Sequence, residues 1–260
     1  MKLACWNVNS VNARLANLLA WLENAKPDIV GLQELKCQDE SFPRMEVEAL
    51  GYNVATYGQK SYNGVALLSK YPLEDIIYGL PDFADEQARY IEAVVSTPSG
   101  ALRVASLYAP NGNPVDSDKY NYKLNWMAAL ETHAQNLLAH EEAFVLAGDF
   151  NVIPSPADCY DPLAWEGDAL YRPETRTAFR RLVNLGLIEV IGTMAVTGDD
   201  TYSFWDYQAG AWPKNNGIRI DHHLLSPLAA DAYVRFGIDR HTRDWEKPSD
   251  HVPVWIELDI

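Results

Sequence analysis

Two rhythms of apolar residues run along the chain. Short apolar runs bounded by Gly, Pro, Asn and Asp recur throughout, and between some of them apolar side chains return at helical spacing. Leu3 to Trp6 predicts a first strand that ends at Asn7, and Ser10 is placed to cap a helix in which Val11, Leu15, Leu18, Leu19 and Leu22 share a face. "PDIVGLQ" predicts the next strand, "SFPRMEVEALGY" a short helix closed by Gly51, and "YNVATYG" and "GVALLSK" two neighbouring strands. "YIEAVVSTPSGALRVASLYAP" predicts a hairpin turning at Pro98-Ser99-Gly100. Residues 118–140 predict a long amphipathic helix, followed by the strand "AFVLAGDF", a loop rich in Pro and Asp over 153–173, and a helix over 175–185. Further strands are expected at "TYSFWDY", "IRIDHHLLS" and "HVPVWIEL". Clustered strands with helices between some of them predict a mixed, layered α/β protein rather than a strictly alternating parallel sheet.

Composition narrows the class. With 260 residues, 48% of them hydrophobic, the chain can bury a sizeable core, and no Gly/Ser-rich or Pro-rich linker divides it. One domain over 1–260 is the expectation. The apolar stretch after Met1 stops at Asn7, too short for a signal-peptide core, and no run reaches membrane-spanning length. Cys5, Cys37 and Cys159 are an odd, scattered set without a CxxC pair, which points to reduced thiols in a cytoplasm and away from zinc. The formal charge of −15 argues against a protein that coats nucleic acid, because phosphate binding needs a positive footprint. It leaves room for an enzyme that gathers a few bases on one face and keeps its acids for metal.

The candidate chemistry lies where strands stop. "ACWNVN", "GLQE", "LAGDFN" and "RID" each end an apolar strand in acids or amides, and "KPSDH" precedes the last strand. Any one of them reads equally well as a turn, since Asn and Asp favour turns. Together they point to convergence at one rim of a sheet. Hard oxygen donors without a Cys or His cluster favour magnesium or manganese over zinc. Glu34 suits such an ion, with Asp250 helping directly or through water. Asp149 and Asn151 can orient a water molecule, and His251, with its pKa raised by Asp221, can bind a phosphate oxygen as a cation.

The ordered set "WNVNS", "LQELK", "LYAPNG", "GDFNVIP", "RIDHHLLS" and "KPSDH" resembles the exonuclease III family, the apurinic/apyrimidinic-site DNA repair nucleases of the DNase I-like superfamily. The resemblance runs from Lys2 to about Leu258. It implies a four-layer α/β sandwich, two packed mixed β-sheets flanked by helices. It also implies roles for single residues: Glu34 as metal ligand, Asn7 tying the metal site to the catalytic aspartate, and Tyr108 on the scissile phosphate. Asp149 would activate the water with Asn151 as companion, Asp221 and His251 would form the Asp–His pair, and Asp250 would be the outer metal-site acid. Asn9 stands where some relatives carry a metal-holding aspartate.

On the substrate side the resemblance assigns Phe204, Ile218 and Ile220 to a small apolar pocket for a sugar that lacks its base, and Trp205 lies among aromatics able to stack on or wedge into nucleic acid. Arg14, Lys60, Arg89, Lys119, Lys123 and Lys214 are candidate phosphate contacts, joined by the uncharged Asn111 and Asn113. His222 and His223 are expected to pack, and His133 and His140 to face solvent. The resulting expectation is a magnesium- or manganese-dependent nuclease acting as a monomer on double-stranded DNA, at abasic sites, at 3′ ends, or at both. The alternatives are a phosphodiesterase or phosphatase acting on RNA or a small phosphoester, and a catalytically dead RNA-binding relative. The survival of the whole catalytic set argues against the last.

Overall fold

The structure, a computed structural model, describes residues 1–194 and 197–260. Among them twelve strands alternate with helices in the order β1 (Lys2–Asn7), α1 (Leu15–Ala25), β2 (Ile29–Gln33), α2 (Arg44–Glu48), β3 (Asn53–Tyr57), β4 (Val65–Ser69), β5 (Leu73–Tyr78), β6 (Tyr90–Thr97), β7 (Gly100–Tyr108), α3 (Asp118–Leu138) and β8 (Phe144–Asp149). The chain continues with α4 (Pro162–Trp165), α5 (Pro173–Asn184), β9 (Ile188–Glu189), α6 (Val190–Met194), β10 (Asp221–Leu225), α7 (Pro227–Asp231), β11 (Tyr233–Ile238) and β12 (Val254–Leu258). They build two mixed six-stranded sheets, ordered β11-β12-β1-β2-β4-β3 and β5-β6-β7-β8-β10-β9.

Alternation along the strands decides the layers. Leu3, Cys5, Ile29, Val65 and Leu67 face Ile91, Ala93, Val104, Val145 and Ala147 of the other sheet and form the central core. Their neighbours Ala4, Trp6, Val30 and Leu32 turn outward under Leu18, Trp21 and Leu22 of α1. On the far side Leu107, Phe144, Leu146 and Leu224 lie under Trp126, Leu130, Phe179 and Leu182 of α3 and α5. Each sheet thus buries both faces, giving the expected four layers. At about 25 cal/mol per Å² of apolar surface, these buried clusters supply the main force holding the sheets together.

Direction along the strands decides the rim. β1 runs parallel to β2 with Asn7 opposite Gln33, while β12 runs antiparallel to β1 with Val254 opposite Cys5. The ends of β1 and β2 and the approach to β12 therefore meet at one edge. In the second sheet β7 is parallel to β8, with Tyr108 opposite Asp149, and β10 is antiparallel to β8, with Asp221 opposite Asp149. Just below this edge the sheets approach closely: a Cβ on Gly31 would lie 2.9 Å from Ser106 Cβ. There Gln33 Nε2 donates to Ser106 Oγ at 2.9 Å, and Ser106 Oγ donates to Leu32 O at 3.0 Å.

Several expectations are corrected. The first helix begins at Leu15, and Ser10 Oγ only accepts from Ala13 N, at 3.4 Å. "TYSFWDY" is no strand; its pairing is limited to single bridges from Phe204 to Ile218 and His251. β5 and β11 went unforeseen because they are edge strands with much of their length exposed. His133 does not face solvent: its Nε2 sits 2.8 Å from Glu92 Oε2, a carboxylate buried in β6 that also accepts from Tyr90 OH and Arg103. His222 and His223 are buried, as expected.

Candidate active site

The rim side chains form two hydrogen-bonded groups set side by side, the first of which crosses from sheet to sheet. Asn7 Nδ2 donates at 2.9 Å both to Glu34 Oε1 and to Asp149 Oδ2, and its own Oδ1 accepts from Asn9 N at 3.0 Å. Ser249 Oγ donates to Asn7 O at 2.7 Å, which ties the turn before β12 to the end of β1. His251 Nδ1 lies 2.9 Å from Asp221 Oδ2, which also accepts from Ser203 Oγ at 2.6 Å. The other nitrogen, His251 Nε2, is 3.6 Å from Asp149 Oδ2, beyond hydrogen-bond length, so it can turn its proton to a third oxygen. Asp149 Oδ1 accepts from Asn151 N at 2.9 Å, and Asn151 Nδ2 donates to Ala109 O at 2.9 Å.

Burial and charge set the protonation states. Burial opposes a charge on His251, but Asp221 and Asp149 override it and raise its pKa to about 10. Burial raises Asp149 to about 7, with Asp221 adding to the rise and His251 working against it. At neutral pH a protonated imidazole thus stands beside a carboxylate poised to accept a proton. Burial pushes the Tyr108 phenol well above its usual value, helped by the charges on Glu34 and Asp149, so it remains a donor. Burial also opposes the charge on Glu34, yet Lys36 and Asn7 hold its carboxyl below the usual range.

Glu34 Oε2 and Asn9 Oδ1 converge on one cation, the Lys36 ammonium, at 2.8 and 2.5 Å. Asn9 Nδ2 in turn holds Asp250 Oδ1 at 3.0 Å. This all-oxygen, net negative set, already drawing a cation to itself, has the chemistry of a hard-metal site. The ligand atoms of Asp149, Asp221 and His251 also lie within 4.8 Å of one another. We do not assign a metal to that trio, because the imidazolium enforced by two carboxylates has no lone pair to give.

A cleft of about 280 Å³ opens over these groups, lined by Glu34, Tyr108, Asn111, Asn151, Phe204, Ile220 and His251 among others. A larger hollow of about 370 Å³ between α3 and α5 gathers no comparable acid–base set. The Phe204 ring meets the His251 ring edge-on at 4.9 Å, and Ile218 stands buried behind, bridged to Phe204. Trp205, expected to contact substrate, is fully buried; its indole donates to Asn215 Oδ1 at 3.1 Å, so it supports the wall from within. Trp165, at the end of the short helix α4, and Asp168 and Asp206, in loops, line the cleft and were missed; no local pattern announces their approach. Among the described residues lining the cleft there is no lysine or arginine.

Of the expected phosphate contacts, Arg14 bonds Asn9 O and the Tyr207 hydroxyl at the rim, and Arg89 lies over the Tyr108 ring and donates to its carbonyl. Lys60 and Lys119 are exposed, and Lys214 Nζ donates to Ala209 O. Asn113 holds Asp168 rather than facing open solvent. Lys123 is corrected outright: it is completely buried and donates to the carbonyls of Asn151 and Asn111.

With a two-sheet fold whose rim sets Glu34–Asn7–Asp149 beside an Asp221–His251 pair, residues 4–251 match the Endonuclease/Exonuclease/phosphatase family along that whole length. The chain belongs to this family. It is 36% identical to exodeoxyribonuclease III of Haemophilus influenzae over 266 aligned residues, covering 99% of this chain and 100% of that protein. A 3′-5′ exonuclease of Neisseria meningitidis superposes with a TM-score of 0.95 at 39% identity, each chain covered completely, as does an Asp-to-Asn variant of a Neisseria 3′ phosphatase bound to product DNA hairpin. An AP endonuclease of Archaeoglobus fulgidus superposes with a TM-score of 0.93 at 33% identity, again over both whole chains. These relatives of the family are phosphodiester hydrolases. The family is metal-dependent, and this chain carries its fold from end to end.

Proposed function

We propose that this protein is a metal-dependent DNA repair nuclease that hydrolyses phosphodiesters of duplex DNA, from 3′ ends and on the 5′ side of abasic sites. The observation that carries the reading is the unbroken chain from Glu34 through Asn7 to Asp149, with the His251–Asp221 pair beside it. Asp149 takes a proton from a water molecule that Asn151 helps to fix, and the water oxygen bonds to phosphorus as the bond to the 3′ oxygen breaks. His251 Nε2 and the Tyr108 hydroxyl donate to the phosphoryl oxygens, where negative charge grows in the transition state. Glu34 and Asp250, with Asn7 and Asn9 behind them, would hold magnesium or manganese, which supplies Lewis-acid stabilisation of the phosphoryl and leaving oxygens. Phe204 and Ile220, backed by Ile218, offer an apolar wall to a sugar without its base.

The three free cysteines, all buried, suit a cytoplasmic setting, and no helix among the described residues is long and apolar enough to cross a membrane. A monomer accounts for the site, since one chain supplies every group in it. The acid-rich lining of the cleft is the feature that favours a small phosphoester or RNA instead. The test uses two labelled duplexes, one with an internal abasic-site analogue and one with an undamaged recessed 3′ end, each with magnesium and with excess chelator. Metal-dependent incision at the analogue, lost in Asp149→Asn, supports the full reading. Shortening from the 3′ end alone restricts it to an exonuclease, and no cleavage of either duplex overturns it.

A further inference from the structure

Lys123 is a lysine the mechanism does not use, sealed inside the protein beneath the cleft. It projects from α3, is 0% exposed, and has no carboxylate within salt-bridge distance among the described residues. Its Nζ donates instead to Asn151 O at 2.5 Å and Asn111 O at 3.0 Å, the carbonyls of the two asparagines on the loops after β8 and β7. The loops leave no room for another arrangement. Gly112 has φ +90°, and a Cβ there would stand 2.7 Å from Lys123 Cδ.

Asn151 itself is held in the left-handed region, φ +51°, which costs a non-glycine residue energy unless its neighbours enforce it. Every polar part of it is engaged: its N–H by Asp149 Oδ1, its side-chain amide by Ala109 O, its Oδ1 by Asn111 Nδ2 at 3.3 Å, and its carbonyl by Lys123. A lysine buried without a salt-bridge partner is an expensive way to satisfy two carbonyls: burial pulls its pKa down to about 7, even with the charges of Asp149 and Asp168 working the other way. Its position, directly behind uncharged amides in a cleft lined by acids, gives that expense a use.

We infer that Lys123 is a positioning residue: its Nζ, donating to both carbonyls, locks Asn111 and Asn151 in the conformation that meets the phosphoryl group. The inference rests on the nuclease reading above, and it assigns the lysine no contact with substrate.

The test compares wild type, Lys123→Met, Lys123→Arg, Asn151→Ala and the Lys123→Met/Asn151→Ala double variant by kcat, KM and thermal melting, on the labelled duplex with a recessed 3′ end. Expected are a fall in kcat of about thirtyfold or more for Lys123→Met with KM changed less than about threefold, and partial recovery of kcat in Lys123→Arg. Added to Asn151→Ala, the methionine should cost several-fold less than it does in wild type, because the part of its effect that passes through the Asn151 side chain is already gone and only the part through Asn111 is left. A role confined to stability would move the melting temperature but not produce that non-additivity. Full activity in a folded Lys123→Met protein, or an undiminished loss in the double variant, overturns the inference. So does failure of both the Met and Arg variants to fold, which would make Lys123 a staple of the fold. A wild type that cuts neither duplex instead refutes the nuclease reading.

Discussion

Replacing Asp221 by Asn tests the electrostatic centre of the site. The pKa of His251 stands at about 10 against an ordinary 6.5, although burial alone would lower it. At about 1.4 kcal/mol per pKa unit, that difference of 3.5 corresponds to about 5 kcal/mol of preference for the charged ring. Asp221, hydrogen-bonded at 2.9 Å, holds the larger share, and Asp149, at 3.6 Å, the smaller. Removing about 3 kcal/mol brings the imidazole pKa down to about 8. A raised histidine pKa keeps the cation at low pH and loses it as pH rises through the folded value. The alkaline limb of kcat/KM should therefore move from near 10 to near 8. At pH 9 the wild-type ring is then about nine-tenths charged and the variant's about one-tenth, a loss of about tenfold beyond any loss seen at pH 7.5. The assay is 3′-end degradation of one labelled duplex from pH 6 to 10.5, with His251→Asn as the variant that has no imidazole to titrate. An alkaline limb unmoved in Asp221→Asn, with activity lowered equally at every pH, would refute the argument: Asp221 would then only orient the ring.

The same profile carries an acid limb. A carboxyl with its pKa raised to about 7 is a base only above that value, so kcat/KM should fall about tenfold per pH unit below it, and activity held flat to pH 5 removes Asp149 as the base. Glu34→Gln should lower turnover about a hundredfold at low magnesium and regain part of it as magnesium is raised, the gap corresponding to about 3 kcal/mol of lost charge stabilisation; unchanged activity at low magnesium moves the metal elsewhere. Arg219→Met should destabilise the protein by about 3–5 kcal/mol in urea unfolding, because Asp158 and Glu189, each 2.7 Å from the guanidinium and buried, are left as unpaired charges. A loss below about 1 kcal/mol would mean that the two acids take up protons or find other partners.

What could be read in advance divides along a physical line. Glu34, Asp149 and Asp221 were legible because each follows or opens an apolar strand, where a carboxylate makes no sense unless something pairs with it. The sandwich itself followed from the resemblance, while the pattern of the residues alone went no further than layered α and β. Glu92 carries the same signal as Glu34, an acid amid "YIEAVV", and its partner is His133. β5 and β11 escaped because an edge strand is half solvated and loses its alternation. Lys123 and Trp205 were misplaced for opposite reasons. A lysine on an amphipathic helix reads as surface until the loops that enclose it are in place, and an aromatic beside bases reads as a stacking platform until packing closes over it. Ser203 carries no local signal, and Ser249 and Lys36, though inside "KPSDH" and "LQELK", show no role until the rim is assembled.

The strand order has a consequence for how the enzyme comes into being. β1, which ends in Asn7, lies between β2 and β12, so the first strand of this fold takes one of its two partners from the last. Until Val254–Leu258 closes on it, Asn7 has Glu34 at hand but neither the Ser249 hydroxyl on its carbonyl nor His251 nearby. A growing chain has Asn7, Glu34 and Tyr108 in hand but still lacks both Asp250 and His251. The topology thus acts as a safety catch: a translational fragment or premature stop that ends before Ser249 lacks Asp250 and His251 and cannot assemble the rim.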